Sequence, residues 1–224
     1  MHYILQKTSI FDLDIAILKE ILQQRKRLDT YEELTLQELT LATKDRINPI
    51  EVPKCLRTEE FLKRDYRVVP FNDIPHGTYF VKDASRLKHY TFFGDTEQLF
   101  TGREAGRVDR SHMFQVSEIE DILSEYRVYV IGGEIVNICN YDGSVLIFPD
   151  TTLVCKANGL YKTRSDYPKS LTIDVMITKK GTEIIEIHPF IACGLYSTLW
   201  GDNLLDAYRD GIEYVINHNT KISQ

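Results

Sequence analysis

Residues 171–196, LTIDVMITKKGTEIIEIHPFIACGLY, are the segment that most restricts how this chain can fold. Two largely apolar runs flank a turn signal at residues 179–181, which read Lys-Lys-Gly. Apolar and β-branched residues on both sides of such a turn are typical of a β-hairpin. The segment therefore predicts two antiparallel strands near the end of the chain.

Three potential metal ligands fall on one side of this predicted hairpin. Side chains two apart on a strand point the same way, so Glu186 and His188 share a face. If the loop is residues 179–181, with Gly181 in the left-handed conformation, Asp174 lies opposite Glu186. Two carboxylates beside a third polar ligand suit a hard cation such as Mg²⁺, which usually completes its shell with water and phosphate oxygens.

An alternative interpretation treats these carboxylates as ordinary groups on a solvated strand face, and the spacing alone does not decide between the two. Asp174 lies inside TIDVMI and Glu186 inside EIIEIHPF, both largely apolar runs. A carboxylate that is buried in such a run must be paired or metal-bound to offset the cost of its burial. This context favours the functional interpretation.

Composition excludes several classes of protein. The chain has 224 residues, 43% of them hydrophobic, which is enough for a sizeable core in one domain or two small ones. Four cysteines without CxxC spacing predict free thiols in a reducing compartment, so a cytoplasmic location is expected. The N-terminal residues resemble neither a signal peptide nor a membrane span. A net charge of -6 argues against non-specific nucleic-acid binding, and no pattern indicates an oligomeric state.

Periodicity and turn signals predict an α+β fold dominated by antiparallel hairpins. Gly132-Gly133 is the strongest further hairpin signal, and Asp142-Gly143 predicts another turn. Helices are predicted at residues 9–27, 36–42, 58–63, 152–160 and about 202–217. Strands are predicted, besides the hairpin of residues 171–196, at residues 66–71, 78–81, 112–119, 126–131, 134–139 and 144–148.

Two further groups of charged residues are candidates for phosphate binding. Glu125 and Arg127 share a strand face, and the planar fork of Arg127 suits bidentate contact with phosphate. Lys82 ends the apolar strand TYFVKD, with Lys88 beyond it, and a lysine there can deliver a point charge to a nucleotide. Taken alone, solvated surface charges are the more common explanation of both. No P-loop and no GxGxxG motif occurs.

Taken in order, these segments resemble the ATP-grasp superfamily. The resemblance runs from FVKD, through MFQVSEIEDILSEYRVYVIGGEIV, to TIDVMI and IEIHPFIACGLY, and covers roughly residues 70–224. It implies antiparallel sheets with flanking helices in an ATP-grasp domain at residues 71–224. Residues 1–70 would then form a reduced N-terminal region that precedes the domain, so the acceptor site cannot be carried over from the family.

The resemblance also implies how a nucleotide is held. In the family a strand-borne lysine contacts ATP phosphates, which implies Lys82 and Lys88. A hinge strand holds adenine and ribose, which implies the backbone from Gln115 to Ile119, with Glu118 near the ribose.

The remaining implied residues surround the reacting phosphate. Arg127 would lie near the phosphates or an acyl-phosphate intermediate, and Asp174 and Glu186 would bind Mg²⁺. The family usually has Asn two residues after the metal-binding Glu, whereas this chain has His188. Histidine binds divalent ions but suits softer metals better than Mg²⁺.

The function implied by the resemblance is that of an ATP-dependent ligase. Such an enzyme phosphorylates a small-molecule or peptide carboxylate, and an amine or another nucleophile then attacks the acyl phosphate. Two alternatives stay open: an ATP-dependent phosphotransferase on the same scaffold, and a non-catalytic nucleotide-binding module in which His188 marks an altered metal site.

Overall fold

The structure is a computed structural model that describes residues 2–7, 13–24, 30–35, 38, 51–84, 90–190, 193–196 and 202–221. The strands are β1 His2–Lys7, β2 Thr30–Thr35, β3 Tyr66–Pro70, β4 Thr78–Asp83, β5 Thr91–Asp95, β6 Met113–Ser117, β7 Ser124–Ile131, β8 Glu134–Gly143, β9 Leu171–Thr178 and β10 Gly181–Pro189. The α-helices are α1 Leu13–Gln24, α2 Glu97–Phe100, α3 Thr151–Lys162 and α4 Asp202–Lys221, and 3₁₀ turns lie at Lys54–Leu56 and Phe71–Asp73.

Two four-stranded antiparallel sheets form the body of the molecule. The first has the strand order β3-β6-β4-β5 and the second β10-β9-β7-β8, while β1 and β2 form a separate parallel pair. Helices α3 and α4 pack against the second sheet through apolar side chains. The predicted α+β fold of antiparallel sheets with flanking helices is confirmed.

Three apolar clusters hold these layers together. The largest joins the second sheet to α3 and to the segment around Phe61, and a second joins α1, α4, Tyr129 and Phe190. A third lies on the first sheet, where Phe71, Val81 and Phe114 are buried. Burial of this apolar area is the main force that stabilises each layer, because buried side chains leave water.

The hairpin of β9 and β10 pairs Asp174 with Glu186, as predicted, but through a different turn. Thr178 pairs with Gly181, so the loop has two residues rather than three, and Gly181 has a φ of +108° that suits glycine. The register is restored by an extra residue, Ile185, that forms a β-bulge between Ile184 and Glu186. The predicted pairing is therefore correct, whereas the three-residue loop is wrong.

Most predicted strands are present, with ends shifted by a few residues. Residues 144–148 are the exception and form a turn instead of a strand. The hydroxyl of Ser124 donates to the carbonyls of Asp142 and Ser144, and Asn140 also donates to the Asp142 carbonyl. These side chains take up carbonyls that a partner strand would otherwise bind, so the chain turns and leaves Leu146 91% exposed.

The helix predictions also have mixed outcomes. Residues 58–63 make a single turn, because the amide of Lys63 binds the Glu183 side chain and the carbonyl of Phe61 accepts from Ile184. Within residues 9–27, the described part is helical over α1. The helix predicted at residues 36–42 lies, apart from Glu38, outside the described residues. Strands β1, β2 and β5 were not predicted.

Candidate functional site

A cavity of 360 Å³ lies between the two four-stranded sheets. Each sheet contributes charged side chains from one wall, and apolar side chains fill the spaces between them. The lining residues named below are Arg64, Lys82, Gln115, Glu118, Ile119, Glu125, Arg127, Tyr141, Asp174, Ile185 and Glu186. Seven of the residues predicted from the sequence thus converge on one space.

Lys82 and Glu186 form a buried ion pair that joins the two sheets. Lys82 lies on β4 and Glu186 on β10, and the Nζ atom of Lys82 donates to Oε2 of Glu186. Both side chains are at most 10% exposed. The interpretation of Lys82 as a solvated strand-end lysine is therefore wrong, as is that of Glu186 as a surface carboxylate.

Arg127 and Asp174 form a second buried pair, on neighbouring strands where they are direct register partners. The Nε and NH2 atoms of Arg127 lie 2.8 and 2.7 Å from the two carboxylate oxygens. A third donor, NH1, lies 3.2 Å from the carbonyl of Gly194, and the guanidinium is 5.0 Å from the Tyr196 ring centroid. Burial lowers the pKa of Arg127, but the hydrogen bond and charge of Asp174 outweigh it and raise the pKa overall.

Asp174, Glu186 and His188 offer ligand atoms that all lie within 4.8 Å of one another, and all three are buried. Carboxylate oxygens at this spacing fit a hard divalent cation such as Mg²⁺. The ring of His188 is also held by the protein: Nδ1 is 3.1 Å from the Pro189 carbonyl and Nε2 is 3.0 Å from the Thr172 hydroxyl. Because a carbonyl only accepts, a neutral ring donates from Nδ1 and accepts at Nε2.

The predicted hinge residues lie along the opposite wall. Gln115 is the register partner of Lys82 and is 2% exposed, and its Oε1 atom has no hydrogen-bond partner among the described residues. Glu118 accepts from the amide of Asp65 at 3.2 Å and lies 3.5 Å from the ammonium of Lys180. Ile119 adds apolar surface. Lys88 lies outside the described residues.

Residues 61–202 match the model of a protein family described as an ATP-grasp domain, family 2 of its clade. The chain belongs to this ATP-grasp family. The sequence has no match among curated proteins. Among the described residues, no helix is long and apolar enough to cross a membrane.

Solved structures with the same fold include three ligase-related proteins. A RimK domain protein ATP-grasp from Sphaerobacter thermophilus has a TM-score of 0.57 and 10% identity, over 96% of this chain and 100% of that chain. D-alanine–D-alanine ligase from Bacillus anthracis, complexed with ATP, has a TM-score of 0.54 and 14% identity, over 99% and 97%. Macrocyclase MdnC from Microcystis aeruginosa, bound with precursor peptide MdnA, has a TM-score of 0.53 and 10% identity, over 97% and 100%. These likenesses establish the ATP-grasp fold.

Sequence reasoning did not assign three polar residues that line this ATP-grasp cavity. Glu125 accepts from the Tyr141 hydroxyl at 2.5 Å, and Arg64 approaches from the segment before β3. Burial raises the pKa of Glu125 most, the Tyr141 hydrogen bond lowers it, and nearby carboxylates including Asp174 raise it further. The shared face of Glu125 and Arg127 was the one signal in the sequence. Tyr141 and Arg64 gave none, because only the tertiary fold brings them here.

Proposed function

We propose that this ATP-grasp protein is an ATP-dependent ligase that joins a carboxylate to an amine or another nucleophile through an acyl phosphate. The observation that carries the proposal is the convergence of Lys82, Arg127, Asp174 and Glu186 on one cavity between the two sheets. Phosphoryl transfer needs cationic groups around the transferring phosphate and carboxylates that can hold a divalent ion. The four side chains supply both requirements.

The cationic side chains would neutralise the phosphates. Lys82 offers a compact ammonium that would bind phosphate oxygens, and Arg127 offers a planar fork for the transferring phosphate or the acyl phosphate. Both already stand in a dry site, where electrostatic interactions are stronger than in water. Lys88 is the second lysine proposed for the phosphates.

Asp174 and Glu186 would hold Mg²⁺, with His188 as a candidate third ligand. The ion would supply charge neutralisation on the phosphate oxygens of ATP. Because Arg127 and Lys82 now bind these carboxylates, the two cations would have to share them when the ion is bound.

The hinge wall would hold the nucleoside. The buried Oε1 atom of Gln115 would accept from the 6-amino group of adenine, and the backbone up to Ile119 would provide the remaining base contacts. Glu118, and with it Glu125, would accept from ribose hydroxyls. Burying the base against apolar side chains such as Ile119 and Ile185 would contribute further affinity.

The acceptor would be a small-molecule or peptide carboxylate. Among proteins of the same fold, one is named for a ligase of D-alanine and another is bound to a precursor peptide. We retain a division into an N-terminal region at residues 1–70 and an ATP-grasp domain at residues 71–224, with the acceptor site in part on the N-terminal region. A cytoplasmic location remains our expectation.

A second candidate function is that of a non-catalytic nucleotide-binding module. The observation in its favour is that both proposed metal ligands already have cationic partners, Arg127 and Lys82, and that His188 is hydrogen-bonded at both ring nitrogens. Such a site could bind nucleotide without the divalent ion that catalysis needs.

Calorimetry with ATP, with and without Mg²⁺, tests the shared first step. Release of ADP and phosphate in the presence of candidate carboxylates and amines then separates ligase from binder. A phosphorylated acceptor that accumulates as the final product would identify a phosphotransferase instead. Absence of ATP binding under both conditions would contradict every nucleotide-based function proposed here.

A further inference from the structure

The β-bulge at Ile185 decides which way Glu186 points. Ile184 pairs with Val175 and Glu186 with Asp174, so Ile185 is an extra residue on β10. Without it, the two-residue turn would place Ile185 opposite Asp174. A slip of one residue turns every following side chain to the other face of the sheet, so Glu186 would then point away from the cavity.

The free edge of β10 is bound in a way that fits only the bulged strand. β10 is an edge strand, and its outward amides at Ile184 and Ile187 donate to the carbonyls of Phe61 and Glu51, at 3.0 and 3.3 Å. In a regular antiparallel strand, outward-facing backbone groups recur every second residue, so a spacing of three requires one extra residue. The side chains of Ile184 and Ile187 also enter the same apolar cluster.

Arg64 contacts the residues immediately before the bulge. Its NH2 atom lies 2.9 Å from the carbonyl oxygen of Ile184, and its NH1 atom lies 3.0 Å from Oε2 of Glu183. The side chains of Arg64 and Glu183 are 3% and 0% exposed. The same carboxylate oxygen accepts from the amide of Lys63 at 2.9 Å, which fixes Arg64 relative to β10.

We propose that Arg64 is a positioning residue that holds β10 in the bulged register and thereby directs Glu186 toward Asp174. The role rests on the proposed function, since it matters for catalysis only if Glu186 binds the divalent ion. The planar guanidinium binds a carboxylate and a carbonyl at once, in directions fixed by its geometry. A lysine keeps the charge opposite Glu183 but lacks this fork.

Arg64→Lys tests the proposal, and Arg67→Lys is the matched control. Arg67 lies three residues further along and pairs with Asp65 in a partly exposed position. Two measurements are made at a temperature where all variants are folded: Mn²⁺ affinity by electron paramagnetic resonance, and hydrogen exchange of the Ile184 and Ile187 amides. We expect Arg64→Lys to weaken Mn²⁺ binding roughly 10–100-fold, as loss of an outer-shell partner does, and to speed exchange at both amides. Arg67→Lys should match wild type in both.

Wild-type Mn²⁺ affinity in folded Arg64→Lys would overturn the proposal, because a residue with a purely structural role changes stability without changing the metal site. If Arg64→Lys does not fold, Glu183→Gln serves instead. It keeps the side chain's shape, weakens its hold on Arg64, and should reduce Mn²⁺ affinity in the same direction. If wild type binds no Mn²⁺, the proposed function fails. Amide exchange then decides the positioning role: faster exchange in Arg64→Lys supports it and unchanged exchange refutes it.

Discussion

Arg127 binds both carboxylate oxygens of Asp174 across neighbouring strands of the second sheet, at 2.7 and 2.8 Å. The pair is buried, so neither partner can lose the other without leaving a charge in a site that water enters poorly. The proposed metal ligand is therefore held in place by a cation before any divalent ion arrives.

Replacing Arg127 should make the fold depend on Mg²⁺. Arg127→Met leaves the Asp174 carboxylate without its bidentate partner, and removing one member of a buried pair costs about 3–5 kcal/mol. A divalent ion at Asp174 would offset part of this loss. Thermal unfolding should show a lower Tm for Arg127→Met and a larger rise on adding Mg²⁺ than in wild type.

The double variant Arg127→Met/Asp174→Asn is the control for that experiment. It lacks the carboxylate that would bind the ion, so its Tm should not respond to Mg²⁺ more than that of wild type. An equal response to Mg²⁺ in wild type and Arg127→Met would argue against a metal at Asp174.

Glu186→Gln should abolish turnover and keep the fold. The amide retains the shape of the side chain and can still accept from Lys82, but it lacks the charge that a divalent ion needs. We expect a loss of ATP-dependent turnover larger than the roughly 10–100-fold typical of losing an outer-shell partner. Activity near that of wild type, in a variant with an unchanged circular dichroism spectrum, would show that Glu186 has a structural role only.

The sequence predicted the pairing of Asp174 and Glu186 but not how it arises. A three-residue loop and a two-residue loop followed by a bulge place the same residues opposite each other. The bulge depends on contacts with Arg64, which is 120 positions from Ile184 in the chain. Local periodicity carries no information about such a contact, so the loop prediction was wrong while its consequence was correct.

The same limit explains the wrong interpretations of Lys82 and Arg127 as solvated charges. Lys82 is 104 residues from Glu186, and Arg127 is 47 residues from Asp174. The patterns around each lysine or arginine resemble those of ordinary strand ends. The resemblance of ordered motifs to a family supplied what local patterns lacked, because it specified which distant segments belong to one site.

Gln115 should select adenine through its 6-amino group. Purine riboside triphosphate differs from ATP only in lacking this group, so wild type should bind ATP more tightly, by up to about tenfold for one hydrogen bond. In Gln115→Leu the two nucleotides should bind alike. Ser117→Ala, which alters another cavity-lining residue of β6, should keep the preference for ATP. Calorimetry with both nucleotides decides this, and an undiminished preference in Gln115→Leu would contradict the assignment.

Glu125 should make stability depend on pH. Burial raises its pKa above the ordinary value of 4.5, so the folded state binds a proton that the unfolded state has lost. The stability that the protonated group contributes is lost as pH rises from 4.5 through this raised pKa. The difference in Tm between Glu125→Gln and wild type should therefore grow as pH rises over this range.

Glu134 offers a control of opposite sign for the Glu125 experiment. It is an exposed residue whose pKa is lowered by its hydrogen bond to Lys162. The stabilising effect of a carboxylate with a lowered pKa is present at higher pH and is lost as pH falls. Glu134→Gln should therefore show no gain in Tm with rising pH. A pH-independent difference in Tm between Glu125→Gln and wild type would refute a raised pKa at Glu125.

His188 should alter which metal the site prefers, if it is a ligand. An imidazole favours softer ions such as Zn²⁺ over Mg²⁺, whereas the amide oxygen of Asn suits Mg²⁺. His188→Asn should then lower Zn²⁺ affinity and retain Mg²⁺ binding, as measured by competition titration. Thr172→Val, which removes the hydroxyl partner of Nε2, should retain Zn²⁺ binding because it leaves the ring in place. The same ratio of Zn²⁺ to Mg²⁺ affinity in wild type and His188→Asn would mean that His188 only hydrogen-bonds beside the site.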